Sequence, residues 1–208
     1  MIVNYELAYA EACRLLGLAK PGDVARRSRS AFDGHYFTVR YLGRDYRIAH
    51  PSGTVESEGL EAVPIVDRIL ILHYLLNATG VPLSGREISF KEVPGGLIYL
   101  RPYEERVIRP LVRWFGADPS SLVVAAAGLG GVQGSRGDAC VTIPVFPMLP
   151  LTFILWRGDE ELPPSGSVLY DSTASFYLPT EDLVVVALQT LLRLRQILIS
   201  GLNTRGPN

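Results

Sequence analysis

The run Ile65-Val66-Asp67-Arg68-Ile69-Leu70-Ile71-Leu72-His73-Tyr74-Leu75-Leu76 limits the fold more than any other part of the chain. A helix with one apolar stripe rests on a surface, whereas a helix apolar on nearly every side has to be covered from several directions. Pro64 suits the first turn and Gly80 the exit, so the pattern predicts a helix from Pro64 to about Thr79. Whatever else the chain forms must wrap this helix in further layers.

The remainder supplies those layers in short pieces. A first helix is expected over residues 4–16, with Asn4 as N-cap, Leu7, Ala8, Cys13, Leu15 and Leu16 as apolar positions, and Gly17 as its stop. A short turn or helix follows from Lys20 to Ser30. His35 to Tyr41 and Tyr46 to Ala49 read as the arms of a hairpin joined at Leu42-Gly43-Arg44-Asp45. Glu87 to Val93 reads as a strand. Residues 103–116 read as a third helix that Pro110 kinks or restarts, and Ser120 as the cap of a short fourth one. Strands are expected at 139–146, 151–157 and 167–171, with Pro147 and Pro150 marking an edge or a bend. The last helix begins at Thr180-Glu181-Asp182 and ends near Ser200. Strands cluster in local antiparallel groups with helices between the groups, which is the α+β pattern. The expected architecture is one α+β domain over residues 1–200, with short antiparallel strands and hairpins packed against four or five helices. A flexible C-terminal tail is expected over 201–208.

A formal net charge of −1, from 20 basic and 21 acidic residues, gives no field that would draw in nucleic acid. Lysine occurs only at Lys20 and Lys91, and the scattered arginines read as a compositional bias rather than a site. Cys13 and Cys140 are too few for a disulfide framework, a zinc finger or an iron–sulfur cluster, and they fit a reducing interior. Met1-Ile2-Val3-Asn4-Tyr5-Glu6 lacks the pattern of a signal peptide. The most apolar stretch, Leu183 to Ile199, is interrupted by Gln189, Arg193, Arg195 and Gln196, whereas a spanning helix needs roughly 20 predominantly apolar residues. It reads as a buried helix. The expectation is a cytoplasmic protein with neither nucleic acid nor membrane as partner. The 48% hydrophobic fraction leaves room for an interface in a homo-oligomer.

The glycine-rich segment from Gly128 to Asp138 can aim successive N–H groups at an anion, with Arg136 as a forked donor. That makes Gly130, Gly131, Gly134, Arg136 and Asp138 candidate ligand-binding residues. Gln133 stands where a dinucleotide fingerprint beginning at Gly128 needs glycine, and no Gly-Lys-Ser/Thr follows. A helix leads into the segment and a strand leaves it, the reverse of both nucleotide motifs, so a mobile connection is the plainer reading. Asp159, Glu160 and Glu161 form an acidic stretch in which crowding can hold one carboxyl protonated or a hard cation can bind. A solvated turn is the plainer reading there too. His73, on the buried helix, needs partners for its ring nitrogens, either as a satisfied core histidine or as part of a ligand site. The three histidines, His35, His50 and His73, have no metal-ligand spacing. Glu181 and Asp182 fit a helix first turn, where the macrodipole favours negative charge. Arg106, Arg109 and Arg113 share one face of an amphipathic helix. No catalytic residue, metal-ligand set or cofactor is assigned from these patterns.

Longer motifs add to this reading. Phe153-Ile154-Leu155-Trp156-Arg157-Gly158-Asp159-Glu160-Glu161-Leu162-Pro163, Leu169-Tyr170-Asp171-Ser172 and Tyr177-Leu178-Pro179-Thr180-Glu181-Asp182-Leu183 resemble domain of unknown function 3786, a family found chiefly in anaerobic bacteria and archaea. Tyr41-Leu42-Gly43-Arg44-Asp45-Tyr46 and Gly137-Asp138-Ala139 fit the same family. The resemblance implies no particular reaction, because the family carries no established activity. Some relatives carry a cysteine-rich iron–sulfur domain similar to that of corrinoid iron–sulfur proteins, and the cysteines for it are missing here. What the resemblance implies is a ligand- or partner-binding accessory protein in anaerobic corrinoid or related metallocofactor metabolism, bound to a small molecule or to a partner protein. The alternative is a carboxylate-dependent, metal-assisted hydrolase or transferase using Asp159, Glu160 and Glu161 with Arg136. It requires the glycine-rich loop and the acidic turn to meet at one concave pocket.

Overall fold

The computed structural model describes residues 4–203. Among them are six helices: α1 (Tyr5–Leu18), α2 (Pro21–Ser28), α3 (Ile65–Asn77), α4 (residues 96–115), α5 (Ser120–Ala127) and α6 (Thr180–Asn203). A four-stranded meander joins β1 (Ala31–Phe32), β2 (Tyr36–Tyr41), β3 (Arg44–Ala49) and β4 (Val55–Glu56), each paired antiparallel with the next. The second sheet contains β5 (Glu87–Ser89), β6 (Val132–Gln133), β7 (Ala139–Phe146), β8 (Leu149–Trp156) and β9 (Ser165–Asp171). Its order is β5-β9-β8-β7-β6, again wholly antiparallel. This is the α+β domain that the grouping of strands predicts.

The hairpin β2–β3 turns at Leu42 and Gly43, both at positive φ of 47° and 76°. That pair of dihedrals suits a two-residue turn whose twist matches the flanking strands. Gly43 also lets the hairpin tip rest on Leu129, where an added Cβ would come within 3.3 Å of the Leu129 Cα. The Leu42 N–H donates to the Val145 carbonyl at 3.0 Å and so stitches one sheet to the other.

Between the sheets stands a column of aromatic rings. Tyr41 of β2 stacks on Phe146 of β7 with centroids 4.6 Å apart, Phe146 on Tyr74 of α3 at 4.2 Å, and Tyr74 lies 5.8 Å from Tyr177. All four residues are buried. A phenol is buried cheaply only when its hydroxyl finds a partner. Tyr74 donates to the Ser28 carbonyl at 2.8 Å and accepts from the Met148 N–H, Tyr177 donates to the Val81 carbonyl, and Tyr41 donates to Asp67 at 3.2 Å. Asp67 is itself buried, with Arg193 of α6 at 3.7 Å. Burial raises its pKa, while Tyr41 and Arg193 pull it back down.

Several boundaries differ from the sequence expectation, each for a local reason. Asn4 does cap α1, accepting from the Leu7 N–H at 3.3 Å. The helix nevertheless runs through Gly17 to Leu18, and Gly17 serves close packing, since a Cβ there would stand 2.9 Å from the Pro51 carbonyl oxygen. Glu87 to Val93 divides into β5 and a single 3-10 turn, Phe90–Glu92, because the Glu92 carboxylate accepts the Ser89 N–H in a capping box. Helix α4 begins at Gly96 and widens into a π turn at Glu104–Ile108 just before Pro110, whose ring nitrogen cannot donate to the ladder. Ser120 is the first residue of α5 rather than its cap, and Asp118 ahead of it accepts the Ser120 N–H at 3.2 Å. Pro144 and Pro150 face each other across β7 and β8 next to a register irregularity, beyond the stretch of β7 that pairs with β6. Helix α6 continues to Asn203, past the expected start of the tail, and residues 204–208 lie outside the described residues.

By length and composition Thr180–Gly201 would be able to cross a bilayer. In the fold its stripe of Leu183, Val186, Ala187, Leu191 and Leu194 is fully covered by protein, while Leu192 and Ile199 face outward.

Asp171, at the end of β9, holds the loop before β5. Its carboxylate accepts from the N–H and hydroxyl of Ser84, the Gly85 N–H, and the N–H and hydroxyl of Thr173, at 2.7–3.1 Å. Burial pushes its pKa up, but the donors of Thr173 and Ser84 together outweigh it and hold the carboxyl at about 2.

Phe146→Ala should cost about 3–5 kcal/mol in urea-induced unfolding, because it removes the middle of the ring column and leaves a cavity. The folded pKa of Asp171 lies below its unfolded value, so its stabilisation is complete at neutral pH and lost as pH falls from about 4 toward 2. Asp171→Asn should therefore remove about 2 kcal/mol at pH 7 and flatten the acid limb of the stability curve.

Candidate functional site

The residues singled out by sequence fall into three separate places. The glycine-rich segment is not a mobile loop throughout, because its middle is the edge strand β6, paired with Val141 and Thr142 of β7. Most of its amide donors are already used. The N–H groups of Gly130 and Gly131 donate to the carbonyls of Ala127 and Ala126 as α5 unwinds, that of Gly134 to Cys140, and that of Asp138 to Leu155. An anion-binding nest needs N–H groups turned outward, so these do not form one. Arg136 is committed as well: its guanidinium meets Glu87 of β5 at 2.6 Å. Glu87 also accepts from Thr152 at 2.6 Å, so Arg136 lies as a strap over the outer face of the second sheet. Asp138 accepts the Arg157 N–H at 2.7 Å and fastens the end of β8.

The acidic stretch is a turn. Asp159 accepts the N–H groups of Leu162 and Glu161 at 2.7 and 2.9 Å, and those two bonds, Leu162 first, lower its pKa. Of the two readings of this stretch, the turn is the one these bonds favour, and the lowered pKa of Asp159 runs against a proton held there. Glu160 and Glu161 are exposed beside it. None of four grooves of about 410–550 Å³ on the described residues is lined by both the glycine-rich segment at 130–138 and Asp159, Glu160 or Glu161.

His73 is where the chemistry gathers. It is not a sealed core histidine, since its side chain is 28% exposed at the rim of a groove of about 410 Å³ between α1, α3, α4 and α6. Apolar walls come from Ala8, Val66, Ile69, Leu70, Val184 and Val185. The polar groups stand together at one side. His73 Nδ1 lies 2.6 Å from an Asp182 oxygen, and the Tyr99 hydroxyl donates to Glu181. The Glu181 hydrogen bond raises the Tyr99 pKa. Arg106 adds a guanidinium from the π turn of α4.

The local sequence explains this convergence. Thr180, whose hydroxyl is bound to the Pro94 carbonyl, starts α6, so Glu181 and Asp182 are fixed in its first turn next to α4 and α3. A carboxylate can only accept, so the bond to Asp182 places a proton on His73 Nδ1, and in the neutral ring Nε2 is then an acceptor. Among the described residues Nε2 has no hydrogen-bond partner. An imidazole oriented in this way can take a proton, accept a hydrogen bond or donate a lone pair to a metal.

Sequence patterning picked out His73 but not its neighbours. Glu181 and Asp182 looked sufficiently explained by the macrodipole, and Arg106 by an amphipathic stripe. Tyr99 gave no signal, because its helix was expected to begin only at residue 103. The usable hint was the motif Thr180-Glu181-Asp182-Leu183, two acids at a helix start among residues that carry the family resemblance.

A family model described as a domain of unknown function (DUF3786) matches residues 20–191. No curated protein and no solved structure matches the chain.

Nitrogen NMR of the neutral His73 ring should report a protonated Nδ1 and an unprotonated Nε2. Asp182→Ala should abolish that bias toward one tautomer; an unchanged ring spectrum in the variant would show that the contact does not orient the imidazole.

Proposed function

The chain belongs to the domain of unknown function 3786 family, and from that premise we propose that it is a ligand-binding accessory protein whose site is the groove at His73. The observation that carries this reading is the His73–Asp182 contact at the rim of an apolar groove, with Nε2 left for a ligand. Ligand sites are characteristically apolar concavities with a few placed polar groups, and this groove has that composition.

The donor set also bears on the class of ligand. Among the described residues there is no cluster of three histidine, cysteine or acidic side chains able to hold a metal ion. A metal that arrives inside its own macrocycle brings most of its ligands and needs one donor from the protein. His73, oriented by Asp182, supplies such a donor, and the apolar walls suit a ring edge. That chemistry agrees with a role in corrinoid or related metallocofactor metabolism in an anaerobe, carried out in the cytoplasm without membrane or nucleic acid. A carboxylate-dependent enzyme built on Asp159, Glu160, Glu161 and Arg136 has less support, because those groups are engaged in separate local structures.

Protein prepared without oxygen and titrated with cobinamide, a corrinoid lacking its own nucleotide base, should shift the visible spectrum of the cobalt complex. His73→Ala should remove the shift while leaving the far-ultraviolet circular dichroism unchanged. Unaltered spectra across the titration of the wild-type chain would retire the corrinoid reading.

A further inference from the structure

A second groove, at the opposite end of α6 from His73, has different chemistry. It measures about 550 Å³ and is floored by Leu42, Gly43, Gly128, Leu129 and Ile197. Its polar lining is Arg44, Tyr46, Arg193, Gln196 and Ser200, with no acidic residue among the described lining groups. The chain as a whole carries a net charge of −1, yet this concavity gathers two guanidinium groups, with the carboxylate of Asp67 behind Arg193 rather than in the lining.

Neither arginine is used up. Arg44 makes one contact, from Nη1 to the Glu58 carbonyl at 3.3 Å. Arg193 approaches buried Asp67 through Nη2 at 3.7 Å and lies beside the Tyr46 hydroxyl, while its side chain stays 27% exposed. A guanidinium has five N–H donors, so both forks retain most of theirs for the groove. Their positions are set in advance. Arg44 is the first residue after the positive-φ turn at Leu42 and Gly43, and the tip of that hairpin is pinned by the Leu42–Val145 backbone bond. Leu42 is a buried non-glycine residue in the left-handed region, a conformation that costs energy and persists only where its surroundings impose it. Arg193 is held from behind by Asp67, which Tyr41 fixes in turn. Asp45, the acid adjacent to Arg44, is paired with Arg40 and does not line the groove.

The geometry points to this groove as a binding site for a phosphate-bearing small molecule, its oxyanion gripped by Arg44 and Arg193 and its body lying on Leu129 and Ile197. Phosphate oxygens match the planar forks of two arginines, and a doubly charged anion gains from both. Gln196 and Ser200 add neutral donors at the rim. The His73 groove sets Glu181 and Asp182 beside Arg106 and so suits the same anion less well.

The test is titration of the whole chain with inorganic pyrophosphate at constant ionic strength, following the arginine Nε–Hε NMR resonances. The resonances of Arg44 and Arg193 should move together and saturate. Arg44→Gln, which does not touch Asp67, should weaken binding about tenfold, the loss of one charge-assisted group. Arg193→Lys keeps a cation beside Asp67 but loses the fork, and it should weaken binding similarly. His73→Ala should bind pyrophosphate like the wild type, which separates this site from the one proposed above. The assignment is overturned if the shifts fail to saturate, if chloride at the same ionic strength reproduces them, or if both arginine variants bind unchanged. It is also overturned if citrate saturates the site while pyrophosphate does not.

Discussion

The stack of Tyr41, Phe146, Tyr74 and Tyr177 is the contact on which the rest of the molecule depends. It takes one ring from each sheet, one from the central helix and one from the turn before α6, so every layer meets there. Stacked rings provide large apolar burial at low side-chain entropy cost, and offset aromatic pairs add a favourable term beyond area. The hydroxyls then extend the column outward, to Ser28, Val81 and Asp67. A second cluster, Phe90 on Tyr103 at 4.0 Å with Tyr170 alongside, repeats the device where α4 covers β9. Two sheets, of four and five strands, become one core by this means.

Much of this was legible in the chain. The all-round apolarity of 65–76 announced a helix enclosed by layers, and the clustering of strand patterns announced antiparallel sheets. What escaped was governed by long-range contacts. Gly17 looked like a helix stop, yet it lies inside α1 because the Pro51 carbonyl presses on it. Two-residue strands such as β4 and β6 carry no periodicity of their own and exist because a neighbour offers a free edge. The start of α4 at Gly96 was missed, since a helix was expected only from residue 103 with Pro110 as its kink, and the widened turn ahead of Pro110 absorbs the missing donor.

The site was less legible than the fold, for a related reason. Glycine runs and acidic runs are conspicuous in sequence, but here they serve as an edge strand, a strap and a tied turn. The groove instead gathers residues from four helices, from Tyr5 to Val185. His73 and Asp182 are 109 positions apart, and no local pattern records that they touch. Asp182 was explicable as a first-turn acid, and a residue with one adequate explanation hides a second.

The contacts between α3 and α6 also have a directional meaning. Along α3 the carboxylate Asp67 precedes the imidazole His73, and along α6 the carboxylate Asp182 precedes the guanidinium Arg193. Each acid meets the base of the other helix, 67 with 193 and 73 with 182, so the two segments are obliged to run in opposite senses. Helices this apolar would bury similar area at many rotations and offsets, and hydrophobicity alone discriminates poorly among them. Two complementary pairs in crossed order reject the parallel arrangement, since it would set acid against acid and base against base.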